Sequence, residues 1–408
     1  MSTQPTPRVV MVIRLFTPWR GGTQSQAQRL SRALIDQGVD VRIVTGWWFR
    51  GTPREETIDG VPVFRHHTLW EGFGIRGLRT IAGFLSIGTL WWHLWRRRGS
   101  YDVIHVHGLS YHTFAAAIAG RRLGKPTLAK LANSGPASDI RKMRAGRHLL
   151  LSRRMLPGAL RCDRLVALTG TVEGELLEAG VPGERIVSIP NGIDPGPEVV
   201  RDLARLRRPA RVMFVGRLHP QKGVDVLLRA AAALRARRPQ QDVRFELVGD
   251  GPSRVELIAL GRDLGLDGQV RFHGDRDDVA TLLGAADVFV LPSRAEGISN
   301  ALLEAMAAGL PVVATAIPGN TDVISDGRDG ILVEAEDPAS LADGIERLLD
   351  DGDLRARLGR EARRTIASRF TIDRVADRYR ELYEELIDEG DVRRDPERVA
   401  GPSGSPPL

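Results

Sequence analysis

The chain has 408 residues but only one cysteine, Cys162. A single cysteine excludes an intramolecular disulfide framework and a cysteine-based zinc site, and it fits a reducing compartment. We interpret Cys162 as a small structural residue near a helix–strand junction. The first residues, MSTQPTPRVVMVIRL, lack a charged segment followed by an apolar one. We therefore expect no secretion signal and a cytoplasmic protein.

The sequence also lacks a clear membrane span. One segment approaches it, Thr80 to Trp95 (TIAGFLSIGTLWWHLW), which is followed by three arginines. Its 16 uncharged residues are fewer than the roughly 20 that a spanning helix needs. The segment is either a buried helix or a helix that lies on a lipid surface with its tryptophans at headgroup level. The sequence leaves both possibilities open.

Lysine is scarce, with four lysines (Lys125, Lys130, Lys142 and Lys222) beside 54 arginines in a chain of net charge +7. Basic residues crowd one stretch that has few acids, which we call the basic patch: Arg141, Lys142, Arg144, Arg147, Arg153, Arg154, Arg161 and Arg164. The patch is either a solvated helix face or a surface for anionic lipid or a phosphorylated substrate. Because it has almost no aromatic residues and no nucleic-acid-binding motif, we expect no nucleic acid.

Short apolar runs alternate with helical patterns, which indicates βαβ units and a parallel sheet. The first series runs from Val9 to about Ile189, and a second begins at Arg211 after a connector rich in proline and arginine. This predicts an α/β chain with two doubly wound, Rossmann-like domains across a cleft, with ligands outside the carboxyl ends of the strands. The predicted domains are residues 1–195 and 209–370, followed by an amphipathic helix within 371–388 and a disordered tail at 389–408.

Two motifs with cationic or anion-binding character follow predicted strands. In RGGTQSQAQRL, Gly21 and Gly22 open a helix, where backbone N–H groups can approach a phosphate. In GRLHPQKG, Arg217 and Lys222 flank a turn and can place two cations near a departing diphosphate. A solvated pair on a loop is the alternative. The scarcity of lysine favours a function for Lys222.

The strand ending in HVHG places His105 and His107 on one face of the sheet, with His107 nearer the cleft. A metal site is one interpretation of this pair, but only His112 follows at a suitable spacing. Two other interpretations remain: His107 makes a polar contact with the substrate, or it is a purely structural residue. We expect no metal.

Two glutamates interrupt the largely apolar stretch EGISNALLEAMAAGLPVVAT, Glu296 and Glu304. Ser299 or Asn300 can cap a helix that contains Glu304 and leaves Glu296 in the preceding loop. Eight residues at helical rise separate the two by at most about 12 Å, which is roughly the reach from a ribose to a sugar across a diphosphate. We predict that the helix start holds the phosphates, Glu304 the ribose and Glu296 the transferred sugar. Two solvated glutamates are the local alternative.

Taken together, these motifs resemble those of the retaining glycosyltransferases of family 4, which have the GT-B fold. The resemblance covers roughly residues 8–388 and rests on GRLHPQKG, LVGDGP, VRFHG, IPNGID and the E-x7-E of EGISNALLE. It implies a nucleotide-sugar donor, with UDP favoured, held mainly by the second domain, and a last helix that crosses back to the first. It implies that His107, Arg217, Lys222 and Glu296 are catalytic. The implied donor-binding residues are Gly21, Gly22, Gly216, Arg217, Lys222, Gly249, Asp250, Arg271, Gly297, Ile298, Ser299, Asn300 and Glu304.

The sequence departs from the family pattern at KLANSGPASD, where many members have a Thr-x-His-Gly type of sequence. Asn133, Ser134 and Asp139 stand there as acceptor candidates beside His107. The resemblance implies no carboxylate nucleophile, and we expect no cofactor. We predict an acceptor that is lipid-linked or otherwise anionic, with peripheral contact to the inner membrane face. The alternatives are a soluble acceptor, a nucleotide-sugar epimerase or hydrolase, and a non-catalytic binding protein.

Overall fold

The computed structural model describes residues 6–19, 21–69, 76–135, 138–146, 151–197, 202–240 and 242–394. Its first half is an eight-stranded sheet in the order β3-β4-β2-β1-β5-β6-β7-β8, parallel except for the β3–β4 pair. The strands are β1 (Arg8–Ile13), β2 (Asp40–Gly46), β3 (Glu55–Ile58), β4 (Val61–His66), β5 (Val103–His107), β6 (Thr127–Leu131), β7 (Arg164–Ala167) and β8 (Ile186–Ser188). The helices are α1 (Gly22–Asp36), α2 (Arg76–Arg96), α3 (Tyr111–Leu123), α4 (Asp139–Arg144), α5 (Ser152–Ala159) and α6 (Gly170–Glu178).

The second half is a six-stranded, all-parallel sheet in the order β11-β10-β9-β12-β13-β14. Its strands are β9 (Ala210–Val215), β10 (Val243–Val248), β11 (Val270–Gly274), β12 (Val288–Leu291), β13 (Val312–Thr315) and β14 (Ile331–Val333). Its helices are α7 (Val224–Arg237), α8 (Arg254–Asp263), α9 (Val279–Gly284), α10 (Asn300–Ala307), α11 (Pro338–Asp350) and α12 (Gly352–Arg369). The strand order reverses beside β9, as in doubly wound sheets.

The last helix, α13 (Ile372–Arg394), returns to the first domain. Its residues Tyr379 and Tyr383 are fully buried in a core shared with α1, β1 and β5. The two places where the chain passes between the domains lie side by side, because Ile193 N donates to Phe370 O (2.8 Å) and Ile372 N donates to Ile193 O (2.9 Å). The predicted crossover helix is thus confirmed.

The helix is longer than predicted. Residues 389–394 continue α13, so the prediction that a tail begins at 389 is wrong for this stretch. Residues 395–408 lie outside the described residues. The domain limits at 195, 209 and 370 stay predictions, although the sheets end at Ser188 and begin again at Ala210.

The first sheet is covered by two different helix layers. One face packs against α1 and α13, through residues such as Val103 and Leu128. The opposite face packs against α2, α3, α4, α5 and α6, through residues such as Ile104 and Ala129. Cys162 lies buried between α5 and β7, where burial raises the pKa of its thiol to about 12. Its burial agrees with the interpretation of Cys162 as a structural residue.

Candidate active site

The helix α10 begins where the sequence predicted it. The Ser299 side chain accepts a hydrogen bond from Leu302 N and caps the helix, so Ser299 rather than Asn300 is the cap. Ser299 and Ile298 are buried, and Glu296 in the loop before them is only 8% exposed. The loop and the start of α10 lie at the carboxyl end of β12, the edge at which parallel sheets bind ligands.

Glu296 is held by a lysine and a serine. Lys222, which ends the short 3-10 helix Pro220–Lys222 after β9, places its Nζ 2.5 Å from Glu296 Oε1. Ser293 Oγ donates to the same oxygen at 2.6 Å, and Thr315 Oγ1 donates to Ser293 O at 2.6 Å. The sequence assigned Lys222 and Glu296 to different parts of a donor and did not predict that they pair.

A second set of contacts fixes the turn that carries Lys222 against the loop that carries Glu296. Arg294 donates two hydrogen bonds of 2.8 Å to the carboxylate of Asp225. Gln221 Nε2 donates to Ala295 O, and Arg294 N donates to Gln221 O, both at 2.8 Å. Two segments that lie about 70 residues apart in sequence, by their numbering, therefore form one rigid unit.

The two other predicted basic residues of this domain are exposed. Arg217 is the second residue after β9, and within the described part of the chain its guanidinium has no protein partner. Arg271 is the second residue of β11, three positions before Gly274, which is about 10 Å at strand rise. The structure thus places Arg217 at the carboxyl edge of the sheet and Arg271 away from it.

Two glycines allow backbone segments to approach closely. Gly249 has φ +126°, and a Cβ there would lie 2.1 Å from the carbonyl oxygen of Gly216. A Cβ on Gly297 would lie 2.0 Å from the carbonyl oxygen of Ala132, which belongs to the first domain. Both distances exclude a side chain. The Gly297 contact shows that the loop bearing Glu296 touches the end of β6 across the cleft.

Hydrogen bonds also cross the cleft at α1 and α10. Asn300 Nδ2 donates to Gly22 O at 3.1 Å, and Gln26 Nε2 donates to Asn300 Oδ1 at 2.9 Å. Asn191, in the IPNGID motif, donates to Ile298 O at 3.1 Å. Gly21, the N-cap of α1, supplies no side-chain cap. The first N–H groups of α1 therefore remain available to an anion.

Glu304 forms an ion pair with a residue of the other domain. Arg29 of α1 places its Nη2 2.5 Å from Glu304 Oε1. The two side chains are 33% and 23% exposed, so the pair is open to solvent. If Glu304 binds a ribose, the ribose has to displace Arg29 or share the carboxylate with it. Sequence reasoning missed Arg29 because no local pattern links residues so far apart.

His107 lies at the end of β5 and is 6% exposed. Burial, with a smaller effect of the neighbouring Lys130, lowers the pKa of His107 to about 3. Its ring stacks on His105 at a centroid distance of 4.4 Å, and His105 Nδ1 lies 2.7 Å from the Tyr383 hydroxyl. Among the described residues no three His, Cys, Asp or Glu side chains are grouped as a metal site would require.

The predicted acceptor residues occupy the segment after β6. Asn133 Nδ2 donates to Asp139 Oδ1 at 3.1 Å, and Lys142 Nζ lies 3.5 Å from the same carboxylate oxygen. Burial raises the pKa of Asp139, against the opposing effects of Lys142 and Asn133. Ser134 is buried as well. The structure brings Asn133 and Asp139 together, but they bond to each other.

Comparison with known proteins agrees with this geometry. Residues 20–197 match the family described as Glycosyltransferase Family 4, and residues 209–351 match Glycosyl transferases group 1. The D-inositol 3-phosphate glycosyltransferase of Salinispora arenicola is 36% identical over 408 residues, which cover 90% of this chain and 88% of that protein. The chain belongs to glycosyltransferase family 4.

This family 4 glycosyltransferase is also similar to a second curated relative and to a solved structure. The lipopolysaccharide core biosynthesis glycosyltransferase LpsE of Rhizobium meliloti is 37% identical over 224 residues, covering 54% of this chain and 64% of that protein. Among solved structures, Anabaena HepE in complex with UDP and glucose has a TM-score of 0.72 at 21% identity, covering 93% of this chain and all of that one. The predicted family and the predicted GT-B fold are both confirmed.

Proposed function

We propose that this glycosyltransferase moves a sugar from a UDP-sugar to an acceptor hydroxyl with retention of configuration. The proposal rests mainly on the partly buried Lys222–Glu296 pair beside the start of α10. It combines a cation for a diphosphate with a carboxylate for sugar hydroxyls. The choice of uridine is supported by HepE, which was solved with UDP and glucose.

In the proposed reaction the bond between the sugar C1 and the donor phosphate oxygen breaks, and a bond from C1 to the acceptor oxygen forms on the same face. The acceptor proton passes to the departing diphosphate, so no protein carboxylate has to act as nucleophile. The protein contributes orientation and a preorganised positive field. Arg217, Lys222 and the first N–H groups of α1 and α10 supply that field.

We assign the remaining donor contacts from the same geometry. Glu304 receives the ribose and Glu296 the transferred sugar, while His107 contacts the sugar from the first domain. A nucleobase at the carboxyl edge of the sheet would meet the backbone near Gly274, whose carbonyl accepts from Gly249 N at 2.8 Å. The resemblance implies a nucleobase contact with the backbone around Arg271; we propose instead the end of the same strand, near Gly274.

We propose that the reaction needs no cofactor, because cationic side chains and helix N-termini can supply the charge that a divalent ion supplies elsewhere. Turnover measured with and without a chelator such as EDTA tests this directly. Equal rates support a metal-independent reaction. A loss of activity that Mg²⁺ or Mn²⁺ restores contradicts it.

A panel of nucleotides tests the donor assignment. We expect UDP to raise the melting temperature of the protein, with smaller effects from GDP and ADP. A ligand at 100 times its Kd stabilises the folded state by about 2.7 kcal/mol, which a thermal-shift assay detects. The UDP-sugars are then compared in the same assay. A larger shift with GDP or ADP would contradict the choice of uridine.

Incubation with a UDP-sugar alone distinguishes transfer from the epimerase and hydrolase alternatives. A transferase should release UDP slowly without an acceptor and faster when one is added. Rapid turnover of the donor alone would favour a hydrolase or an epimerase. Tight binding without any turnover, with or without an acceptor, would favour a non-catalytic protein.

We propose that the acceptor is lipid-linked and that α2 docks on the membrane. The helix is apolar on two opposite sides. Leu90 and Leu94 are fully buried in the core, whereas Ile81, Phe84, Leu85 and Trp92 are 60, 41, 41 and 53% exposed. Their spacing places these exposed residues along one stripe of the helix. No helix in the described part of the chain is both long and apolar enough to cross a membrane.

The basic patch lies in the same helix layer as this apolar stripe. In α4 and α5, Arg141, Arg144, Arg153 and Arg154 are exposed, as is Arg161 after α5. Lys142 and Arg164 are paired with Asp139 and Glu389, and Arg147 lies outside the described residues. Each free arginine near an anionic surface contributes about 1 kcal/mol of attraction, which falls off within a Debye length. Apolar insertion and positive charge together favour an anionic membrane.

Co-sedimentation with vesicles tests the docking. We expect the protein to pellet with phosphatidylglycerol vesicles but not with phosphatidylcholine vesicles, and to be released at high salt. Phe84→Ser combined with Trp92→Ser should abolish pelleting because it removes apolar surface from the stripe. The matched control is Leu177→Ser combined with Val255→Ser, which changes two apolar side chains exposed elsewhere. If wild type stays in the supernatant with both lipids, membrane docking is wrong.

A soluble anionic acceptor is the second candidate. It is favoured by the Salinispora arenicola relative, which is named for D-inositol 3-phosphate. On this alternative the exposed arginines would meet the acceptor rather than a lipid headgroup. Transfer to D-inositol 3-phosphate at a rate unaffected by vesicles would support it over the lipid-linked acceptor.

A further inference from the structure

A buried lysine lies beside His107. Lys130 belongs to β6 and is paired in register with His107 of β5. Leu128, two residues earlier in the strand, points into the core that α13 covers. Because residues two apart in a strand share a face, Lys130 points to that face as well. The lysine is only 4% exposed. Two residues further on, Ala132 contacts the glycine of the loop that carries Glu296.

Among the described residues, the groups around Lys130 are aromatic and imidazole rings, and no carboxylate pairs with its ammonium. Its Nζ lies 5.6 Å from the centre of the Tyr379 ring. The other titratable groups on this side are His105 and His107 of β5 and Tyr383 of α13; Arg378 lies next to Tyr379 but is exposed. In the segment after β6, Asp139 is already in contact with Lys142. Within the described residues no acidic side chain forms an ion pair with Lys130.

Several polar atoms of this cluster are buried and have no hydrogen-bond partner among the described residues. They are His105 Nε2, His107 Nε2 and the Tyr379 hydroxyl oxygen. An ammonium group that is buried without an acceptor lowers the stability of a protein, because the charge loses its hydration and gains little in return. Burial accordingly lowers the pKa of Lys130 to about 7. A methionine of similar length would fit this position at lower cost.

We propose that Lys130 is a positioning residue for glycosyl transfer, whose ammonium acts through the neutral His107 ring to present positive charge to the donor diphosphate from the first domain. This inference rests on the proposed function. The stacked rings of His107, His105 and Tyr379 (4.4 and 5.0 Å between centroids) hold the imidazole in place. Lys222 and Arg217 face the same diphosphate from the second domain.

The first test measures stability. Lys130 binds its proton less tightly in the folded chain than in the unfolded one, whose pKa is near 10.5. Burial of the charged form therefore destabilises the wild type fully below pH 7, and the penalty disappears as the pH rises towards 10.5. We expect Lys130→Met to melt at a higher temperature than wild type at pH 6, with a difference that shrinks towards pH 10.

The matched control is Lys125→Met, two residues before β6, where the lysine Nζ lies 3.7 Å from Asp102 Oδ1. It should not raise the melting temperature at pH 6, because Lys125 has a carboxylate partner. If Lys130→Met is less stable than wild type at pH 6, Lys130 is a structural residue and the proposal is wrong.

The second test measures the affinity for UDP-glucose by calorimetry at pH 6 and pH 8.5, a range in which the charge of the diphosphate in this probe does not change. Wild type should bind at least about fivefold more weakly at pH 8.5, because the lysine has lost its proton. Lys130→Met should bind equally at both pH values and match wild type at pH 8.5. Lys130→Arg keeps its charge and should bind equally well at both.

The outcomes separate the inference from the proposed function. If Lys130→Met binds UDP-glucose with the same pH dependence as wild type, Lys130 does not act on the donor and only the inference fails. If wild type does not bind UDP-glucose at either pH, the assignment of the donor fails and the inference fails with it.

Discussion

Replacement of Lys222 by alanine should lower kcat by roughly 10²–10³-fold, by analogy with the loss of one preorganised donor to a developing charge. Lys222 faces the cleft from the turn after β9, and its ammonium already holds the buried Glu296 carboxylate at 2.5 Å. The alanine variant therefore loses a cation at the diphosphate and also leaves Glu296 with Ser293 as its remaining partner. Steady-state kinetics with the UDP-sugar selected by the nucleotide panel measure the effect.

Arg217→Ala is the matched comparison. It should lower kcat by a similar factor, but its melting temperature should stay close to that of wild type, because Arg217 is exposed and has no protein partner in the described part of the chain. Lys222→Ala should in addition lose about 1–3 kcal/mol of stability, because the buried Glu296 carboxylate loses its cationic partner. Wild-type turnover in either variant would remove that residue from the mechanism.

The double variant Lys222→Ala with Glu296→Gln resolves the two roles of Lys222. Side chains in direct contact have non-additive effects. Neutralising Glu296 should restore most of the stability that Lys222→Ala loses, since no buried carboxylate then lacks a cationic partner. It should not restore kcat, because the diphosphate still lacks its cation and Glu296→Gln itself weakens the contact with the transferred sugar. Recovery of both would mean that Lys222 serves Glu296 alone.

The central strands of both sheets could be predicted because parallel strands buried on two faces read as continuous apolar runs. Val288–Leu291 is such a run, and it is strand β12 as predicted. The β3–β4 hairpin was missed, although its turn carries a recognisable signal. Asp59 and Gly60 have φ of 48° and 81°, and Asp-Gly is a preferred pair for a two-residue hairpin turn. The charged residues of β3 obscured it.

At the site, local features could be predicted and long-range pairings could not. The cap at Ser299 follows from residues within four positions of each other. The pairs Lys222–Glu296 and Arg29–Glu304 join residues 74 and 275 positions apart, so only the packing of strands and domains determines them. Sequence spacing contains no information about such partners.

One residue and one helix show what composition and periodicity can and cannot predict. The scarcity of lysine that favoured a function for Lys222 applies equally to Lys130, which lies in the apolar strand TLAKL, so a signal for Lys130 was present. The helix α2 is different. Since residues on both of its faces are apolar, its pattern could not show which side faces the core. Only the structure shows that Leu94 is buried while Trp92 is exposed.

Glu304→Ala should weaken the binding of UDP by about 10- to 100-fold, the range expected for hydrogen bonds to a charged group. Glu296→Ala should leave UDP affinity within about twofold of wild type, because its proposed ligand is the transferred sugar, which UDP lacks; it should instead reduce kcat strongly. Calorimetry with UDP measures the first effect, and steady-state kinetics with the UDP-sugar measure the second.

Arg29→Ala is the control for Glu304, because it breaks the same ion pair from the other domain and leaves the carboxylate in place. If Glu304 binds the ribose, Arg29→Ala frees the carboxylate and UDP should bind as tightly as to wild type or more tightly. If Glu304 matters only as the partner of Arg29 across the cleft, both variants should lose UDP affinity to the same extent. Equal losses in Glu304→Ala and Glu296→Ala would show that the two glutamates do not divide the donor between ribose and sugar.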